Sequence, residues 1–324
     1  MSKKAAVKIY HGFGHTHNLI VFGHVFKKLP GVRFKYSDNI ISNIIHLLKL
    51  FLVKPLPGIP VRLVLEDRAI ESITEKDGFF KFEWQSAHEI TAGWHSVSVN
   101  SLDNTGQVTS KGEGKVFIPH STQYGFISDI DDTIMISHSA TMRRRLRELF
   151  IKNARTRRVF KDVGTHYSLL AHAHTDPSTP NPFFYVSSSE WNLYDYLNEF
   201  FDYNQLPEGA FLLNQVKRWF ELWKTGKTKH EGKLLRIVRI LEAFPRQQFI
   251  LFGDNTQRDP AIYAAIAKKF PEKIFAVYIR NIVTKNEIPA RQILDEIEKS
   301  GIYTCLFRES SEAIEHSKHI GLIE

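Results

Sequence analysis

Cysteine is all but missing from this chain: Cys305 is the single one in 324 residues. An intrachain disulfide and a cysteine-ligated zinc cluster are thereby excluded, and a reducing compartment is expected. Long apolar runs are missing too. The richest stretch, 38–53, places Ile40, Ile41, Ile44, Ile45, Leu47, Leu48, Phe51 and Leu52 at helical spacing, but Asn43, His46 and Lys49 interrupt it and it is too short to span a bilayer. It predicts a helix packed on neighbouring β-structure, with docking into a membrane interface as the alternative. No secretory leader is legible, because Lys3, Lys4, Lys8, His11 and His15 break the N-terminal run, and the expected location is cytoplasmic. A zinc signature is lacking at His11, His15, His17 and His24, where Gly12 and Gly14 indicate a turn beside a strand. Acidic residues number 35 against 43 basic ones, and the net charge of +8 favours anionic partners without choosing between nucleic acid and an acidic membrane surface.

What is present describes a soluble globular chain, 43% hydrophobic and 24% charged, long enough for two domains. Up to Pro119 and His120 the chain reads mostly as β-structure. Val61 to Glu66, Phe79 to Trp84 and Trp94 to Val99 are short alternating runs, with Asp77-Gly78 and Asn104-Thr105-Gly106 as turns between them. A small β-sandwich results, with its boundary at 120.

Beyond the boundary, the run Gly125 to Ile134 delivers carboxylates to the end of a short apolar strand. Side chains at i and i+2 share a strand face, so Asp129 and Asp131 are expected side by side where the backbone turns. One carboxylate can attack phosphorus while the other protonates the leaving oxygen, and their mutual repulsion calls for a cation such as Mg²⁺. Strands and helices then alternate, which argues for a parallel sheet covered by helices. Thr141 to Phe160 reads as a basic amphipathic helix inserted over the carboxyl ends of the strands, rich in arginines that include Arg143, Arg144, Arg155 and Arg158. The strand from Pro182 ends in Ser187, Ser188 and Ser189, hydroxyls that can bind phosphate or, for Ser189, cap the following helix. Lys224 to Lys229 lacks the P-loop spacing. Lys233 opens a helical run, and the strand Gln248 to Phe252 delivers a second acidic end at Asp254 and Asp259. A nucleophile, carboxylates from separate strands and an intervening lysine form the minimum for phosphoryl transfer. Further strands are expected at Ile274 to Ile279 and Tyr303 to Phe307, and helices at Ala290 to Lys299 and Glu312 to Lys318.

The D-x-D-x-T run at 129–133, Ser187, Lys233 and the G-D-x-x-x-x-D run at 253–259 resemble the four motifs of the haloacid dehalogenase superfamily. More narrowly, S-D-I-D-D-T-I at 128–134, N-A-R-T-R-R at 153–158, Y-V-S-S-S-E-W-N-L-Y at 185–194 and F-I-L-F-G-D at 249–254 resemble the actin-patch-type phosphatidate phosphatase catalytic family. Asn255-Thr256-Gln257 stands where many members carry Ser-Gly-Glu, and Glu190 where Pro is common. The resemblance covers Tyr124 to about Ile282, and Gly58 to Pro119 looks like a companion β-domain.

It implies an α/β fold: a Rossmann-like phosphatase domain at 121–324 with a small helical cap insertion at about 137–180, preceded by the β-sandwich-like domain at 1–120. Asp129 would be the nucleophile, Asp131 the general acid and later base, and Thr133 would order the loop. Ser187 and Ser188 would bind phosphoryl oxygens, and Lys233 would neutralise them and orient Asp129. Asp129, Asp131 through its carbonyl, Asp254 and, in support, Asp259 would hold Mg²⁺. The implied reaction is conversion of phosphatidate to diacylglycerol and phosphate. Its partner is an anionic phospholipid at a peripheral membrane surface rather than nucleic acid, with the insertion's arginines toward that surface. A phosphatase of a soluble or nucleic-acid terminal phosphate and a non-catalytic anionic-lipid-binding scaffold are the alternatives.

Overall fold

Alternating apolar residues over the first 120 positions do become strands. The computed structural model describes residues 5–29, 45, 48–65, 68–120, 123–136, 154–155, 157–216 and 229–324. Strands β1 Ala6–Ile9, β2 Gly12–His15, β3 Asn18–Phe26, β4 Pro60–Leu65, β5 Arg68–Ile73, β6 Phe79–Trp84, β7 Gly93–Leu102 and β8 Val108–Ile118 hydrogen-bond into one eight-stranded sheet. Its order is β1-β3-β2-β8-β7-β4-β5, with β6 on β3, and its described pairings are antiparallel except β2 with β8. The sheet folds across its own inner face, so that Val7 and Ile9 of β1 press onto Gly112 and Gly114 of β8, where a Cβ would lie 2.8 and 2.4 Å from those side chains. The turn beside β2 falls at Thr16 and His17, while Gly12 and Gly14 lie within the strand. Asp103 closes the β7–β8 turn, its carboxylate accepting from the Thr105 and Gln107 amides at 2.9 Å each, while Gly106 supplies the positive φ of 80° that a side chain resists.

The second sheet is parallel and six-stranded, in the order β11-β10-β9-β12-β13-β14. Its strands are β9 Gly125–Ser128, β10 Phe183–Glu190, β11 Gly209–Asn214, β12 Phe249–Asp254, β13 Ile274–Arg280 and β14 Tyr303–Phe307. Near-continuous apolar runs are what a sheet buried on both faces requires. Helices α1 Val163–Ala171, α2 Tyr194–Tyr203 and α6 Ser310–His319 cover one face, bringing Tyr167, Phe201 and His316 onto Phe183, Tyr185, Phe252 and Tyr278. Helices α3 Lys229–Ala243, α4 Asp259–Lys269 and α5 Glu287–Glu298 cover the other. Helix α1 falls inside the range expected for a cap, but Tyr167 and Leu170 are fully buried in the core of the sheet, so residues 163–171 belong to its body.

The first sheet encloses an apolar core of its own, with Val21, Val61, Leu63 and Val99 at its centre, while Tyr10, Phe13, Ile20, Phe22 and Phe26 join the core of the second sheet. Tyr10 stacks on Trp191 with ring centroids 4.0 Å apart, and Phe13 meets Phe184 at 5.3 Å and Phe244 at 6.0 Å. Of the stretch 38–53 the structure describes 45 and 48–53. Leu50 and Phe51 join this core, and the Leu50 carbonyl accepts from Asn192 Nδ2 at 2.9 Å, whereas Ile45 and Leu52 are exposed. No helix among the described residues is long and apolar enough to cross a membrane.

Candidate active site

From β9 the chain moves outward to β10 and β11, then returns across β9 to β12, so strand order reverses between β9 and β12. Connections leave such a switch point in opposite directions and open a crevice beyond the carboxyl ends of the strands. Asp129 follows β9 directly, and its amide donates to the Phe252 carbonyl of β12 at 2.9 Å. Ser128 Oγ donates to the Asp129 carbonyl at 2.6 Å and shares a 2.7 Å hydrogen bond with the Tyr167 hydroxyl. Past Asp131 the chain bends through Asp132 at φ 61°, a left-handed conformation that Asp tolerates better than most side chains, and the Asp132 amide donates to Met135 at 2.8 Å. The third acid of the motif thus serves the turn.

Carboxylates from both strand ends converge on a lysine. Lys233 Nζ on α3 lies 2.9 Å from Asp129 Oδ1 and 2.5 Å from Asp259 Oδ1. Asp259 Oδ2 accepts from the Asp254 amide at 3.3 Å, an approach that only glycine at 253 permits, since a Cβ there would lie 2.6 Å from that oxygen. Asp254 Oδ1 accepts from the Thr256 amide at 2.5 Å. Burial pushes the Asp129 carboxyl well above its ordinary value, against the pull of Lys233 and with the charges of Asp259, Asp254 and Asp131 adding to the rise. Burial, then Asp259, raise Asp254 to about 7. On Lys233 burial acts downward, but the charges of Asp129 and Asp259 outweigh it and hold the ammonium form. More negative charge is buried here than one lysine compensates.

A cation fits that imbalance. Asp129, Asp254 and Asp259 each present an oxygen within 4.8 Å of the others, and Asp129 Oδ2 and Asp254 Oδ2 are buried without a hydrogen-bond partner. Buried polar atoms are rarely left so, and an all-oxygen set suits a hard divalent ion. The Asp131 side chain is not in this group. It faces Ser187, whose Oγ donates to Asp131 Oδ2 at 3.4 Å, and Arg157, whose Nη2 is 3.8 Å from Asp131 Oδ1.

Of the other residues expected at the site, Thr133 is buried with its Oγ1 unpartnered. Ser187 is fully buried, and Ser188 accepts at its carbonyl from Asn214 Nδ2 at 2.8 Å. Ser189 is not a helix cap: it lies in β10, and Glu190 precedes the helical turn at 191. Arg155 is exposed, 3.5 Å from Glu199 and over the Tyr203 ring, so it lies against α2. Arg158 is exposed, and Arg143 and Arg144 lie outside the described residues. Where the end of an amphipathic helix was expected, residues 158–160 run as extended chain against 134–136, the Phe160 and Ile136 amides donating to the Ile134 and Arg158 carbonyls at 3.1 and 3.0 Å. Position 141–153 is otherwise outside the description, as is the basic loop at 224–228.

Three cations went unrecognised. Arg157 is 3% exposed beside Asp131. Arg280 donates from Nε to the Thr133 carbonyl at 3.0 Å and from Nη2 to Ser310 Oγ at 2.9 Å, its guanidinium lying between the Phe160 and Phe307 rings. Arg236 donates from Nη1 to the Ser187 carbonyl at 3.0 Å and from Nη2 to Asn214 Oδ1. For Arg157 no local signal existed, because the side it takes follows from an extended return segment that the sequence reads as helix. Asn255 clamps the next loop, accepting from the Ile282 and Val283 amides at 2.8 and 2.9 Å.

Residues 124–281 match the family described as "Phosphatidate phosphatase APP1, catalytic domain". Phosphatidate phosphatase APP1 of Saccharomyces cerevisiae is 34% identical over 157 residues, 48% of this chain and 25% of its own length. An uncharacterized protein of Schizosaccharomyces pombe is 24% identical over 163 residues, 49% of this chain and 25% of its own. The chain therefore spans a quarter of the length of these relatives, 25% in each case. A carbohydrate acetylesterase from Xanthomonas citri superposes with a TM-score of 0.34 at 9% identity, over 95% of this chain and 72% of its own, an overlap too loose to carry an argument. The resemblance to the actin-patch-type phosphatidate phosphatase catalytic family thus holds over the segment that carries the site.

Proposed function

We propose that this site hydrolyses a phosphomonoester, phosphatidate first among candidates, through a phosphoaspartyl intermediate on Asp129. The observation that carries the reading is the buried Asp129 carboxylate, anchored at Oδ1 by Lys233 with Oδ2 unpartnered, at the switch point of a parallel sheet. Asp129 attacks phosphorus, the ester P–O bond breaks, and Asp131 gives its proton to the departing alkoxide. Water then attacks the phosphoaspartate, Asp131 takes a proton from it, and phosphate leaves with the Asp129 carboxylate restored. Ser187 binds phosphoryl oxygens, Thr133 orders the loop, and Lys233 orients Asp129 and pulls it toward its ionised form against the effect of burial. Asp129, Asp254 and Asp259, with the Asp131 carbonyl, would hold Mg²⁺, which supplies charge compensation for the phosphoryl oxygens when bound. On this reading residues 121–324 form a haloacid-dehalogenase-type phosphatase domain and 1–120 a β-sandwich-like companion.

Lipid as substrate is supported by the family match and by the placement of the basic segment, whose stems meet at 134–136 and 158–160 beside the motif. Basic groups near an anionic surface contribute on the order of 1 kcal/mol each, so several hold a protein there without a spanning helix. The test is Mg²⁺-dependent phosphate release from phosphatidate vesicles and from soluble phosphate esters. Vesicle turnover should fall with salt. Replacing Arg143, Arg144, Arg155 and Arg158 by Gln should reduce it far more than turnover of a small aryl phosphate. Hydrolysis of soluble esters alone would make the protein a soluble-substrate phosphatase instead.

A further inference from the structure

Arg157 is the anomaly of the site. It is 3% exposed, and both Nε and Nη2 are buried without a hydrogen-bond partner. Its ion-pair neighbour, Asp131 Oδ1, is 3.8 Å away, attraction without a hydrogen bond. A guanidinium is seldom buried with donors to spare, because desolvation is repaid only when the charge is both paired and hydrogen-bonded. Nε and Nη2 are also the two nitrogens on one edge of the guanidinium, the edge that grips an oxyanion with parallel N–H bonds. The other arginines near the site spend donors on the frame: half-buried Arg236 on the Ser187 carbonyl, buried Arg280 on the Thr133 carbonyl and Ser310. Lys233 is held between Asp129 and Asp259.

We propose that Arg157 binds the phosphoryl group of the substrate, its Nε–Nη2 edge donating to two phosphoryl oxygens next to the general acid. This rests on the site being a phosphoryl-transfer centre and adds a residue to it. Asp131 is bracketed, Ser187 at Oδ2 and Arg157 at Oδ1, so an oxyanion meeting the Ser187 hydroxyl comes within reach of Arg157 as well. The chain path explains the placement. Met135 bridges both Asp131 and Val159, which fixes residue 157 one step from the motif.

Inorganic phosphate is the probe. Calorimetric titration into wild-type protein with Mg²⁺ present should show binding, and Arg157→Met should weaken it roughly ten- to a hundred-fold. Arg157→Lys should lose nearly as much, since a single ammonium cannot replace the fork. Guanidinium ion added to Arg157→Met should recover part of the affinity, which a packing defect would not allow. On an aryl phosphate, KM should rise in both variants. If Arg157→Met does not fold, Arg157→Lys, which keeps charge and bulk, decides. Wild-type affinity in a folded variant, or no phosphate binding by the wild type, overturns the proposal. Failure to hydrolyse any phosphoester while Arg157-dependent phosphate binding persists would remove the function above and leave this inference standing.

Discussion

The mainly antiparallel sheet of residues 6–118, with its alternating strands, and the parallel sheet of residues 125–307, with its near-continuous apolar runs, bury polar groups on different terms. In the first, buried polar side chains are neutral. Thr74 Oγ1 accepts from Ile59 and donates to Leu56, at 2.9 and 2.7 Å, and Ser101 pairs with Thr109 at 2.9 Å. Burial holds His24 down to about 3, so its ring stays uncharged against Tyr10. In the second, Asp129, Asp131, Asp254, Asp259, Arg157 and Arg280 are all buried. The cause is connectivity. The hairpin turn at Asp103 to Gly106 closes the paired ends of β7 and β8 with its own backbone, whereas a parallel strand sends the chain away in a crossover and leaves its carboxyl end free to carry chemistry. Charge can be buried at such an end only if partners arrive from other strands.

The comparison breaks most sharply at Asp129. Asp129→Asn should lower turnover on the order of 10⁴-fold or more while circular dichroism and the melting point stay near wild type, because the amide is nearly isosteric but is no nucleophile. Normal turnover by the purified variant would falsify the phosphoaspartyl mechanism.

Metal removal comes next in size. Exhaustive chelation should abolish phosphate release, Mg²⁺ should restore it, and Ca²⁺ should restore little, since it prefers longer bonds and more ligands. Asp254→Ala should raise the Mg²⁺ needed for half-maximal activity at least ~10-fold. Full activity after chelation would leave the orphaned Asp129 and Asp254 oxygens with no ion to explain them.

The seam between the sheets sets a third test. Phe13 is buried against Phe184 and Phe244, and Phe13→Ala should cost about 3–5 kcal/mol in urea unfolding. Because Tyr10, Phe13, Ile20, Phe22 and Phe26 tie the first sheet into the core of the second, unfolding should remain a single transition although the first sheet also has a core of its own. Two separated transitions would mean that the sheets melt independently and the shared core contributes little.

Acid sharpens the contrast least, yet reaches both halves. Burial lowers His24 in the first sheet and His166 under the second to about 3 each, from 6.5. Between those values the unfolded chain takes up the protons that the folded rings refuse, so stability is complete above pH 6.5 and is lost as pH falls. The loss is about 1.4 kcal/mol per pH unit for each ring. His24→Gln should flatten the slope of unfolding free energy between about pH 6.5 and about pH 4 by one ring's share; an unchanged slope would mean that His24 is protonated in the folded state.

Much was legible locally. Apolar runs and alternation locate β6, β9, β12, β13 and β14 within a residue or two, and Tyr303–Phe307 at both ends, because a strand buried on one or both faces must write its burial into its own residues. The carboxylates were legible for the same reason, since Asp129 directly follows β9, Asp254 ends β12 and Asp259 opens α4, whereas Ser187 and Lys233 lie inside β10 and α3 and were legible from residue type and order. Helix α1, the extended return at 157–160 and the choice of Arg157 over Arg155 and Arg158 were not. Neither was Arg280, which reaches a carbonyl 147 residues away. By itself the sequence determined the strands of the second sheet and where acids end them, though not β2, whose Gly12 and Gly14 read as a turn. Only the tertiary structure decided which cation faces which acid and which oxygens stay unpartnered, because those depend on distances between residues remote along the chain, about which local periodicity carries no information.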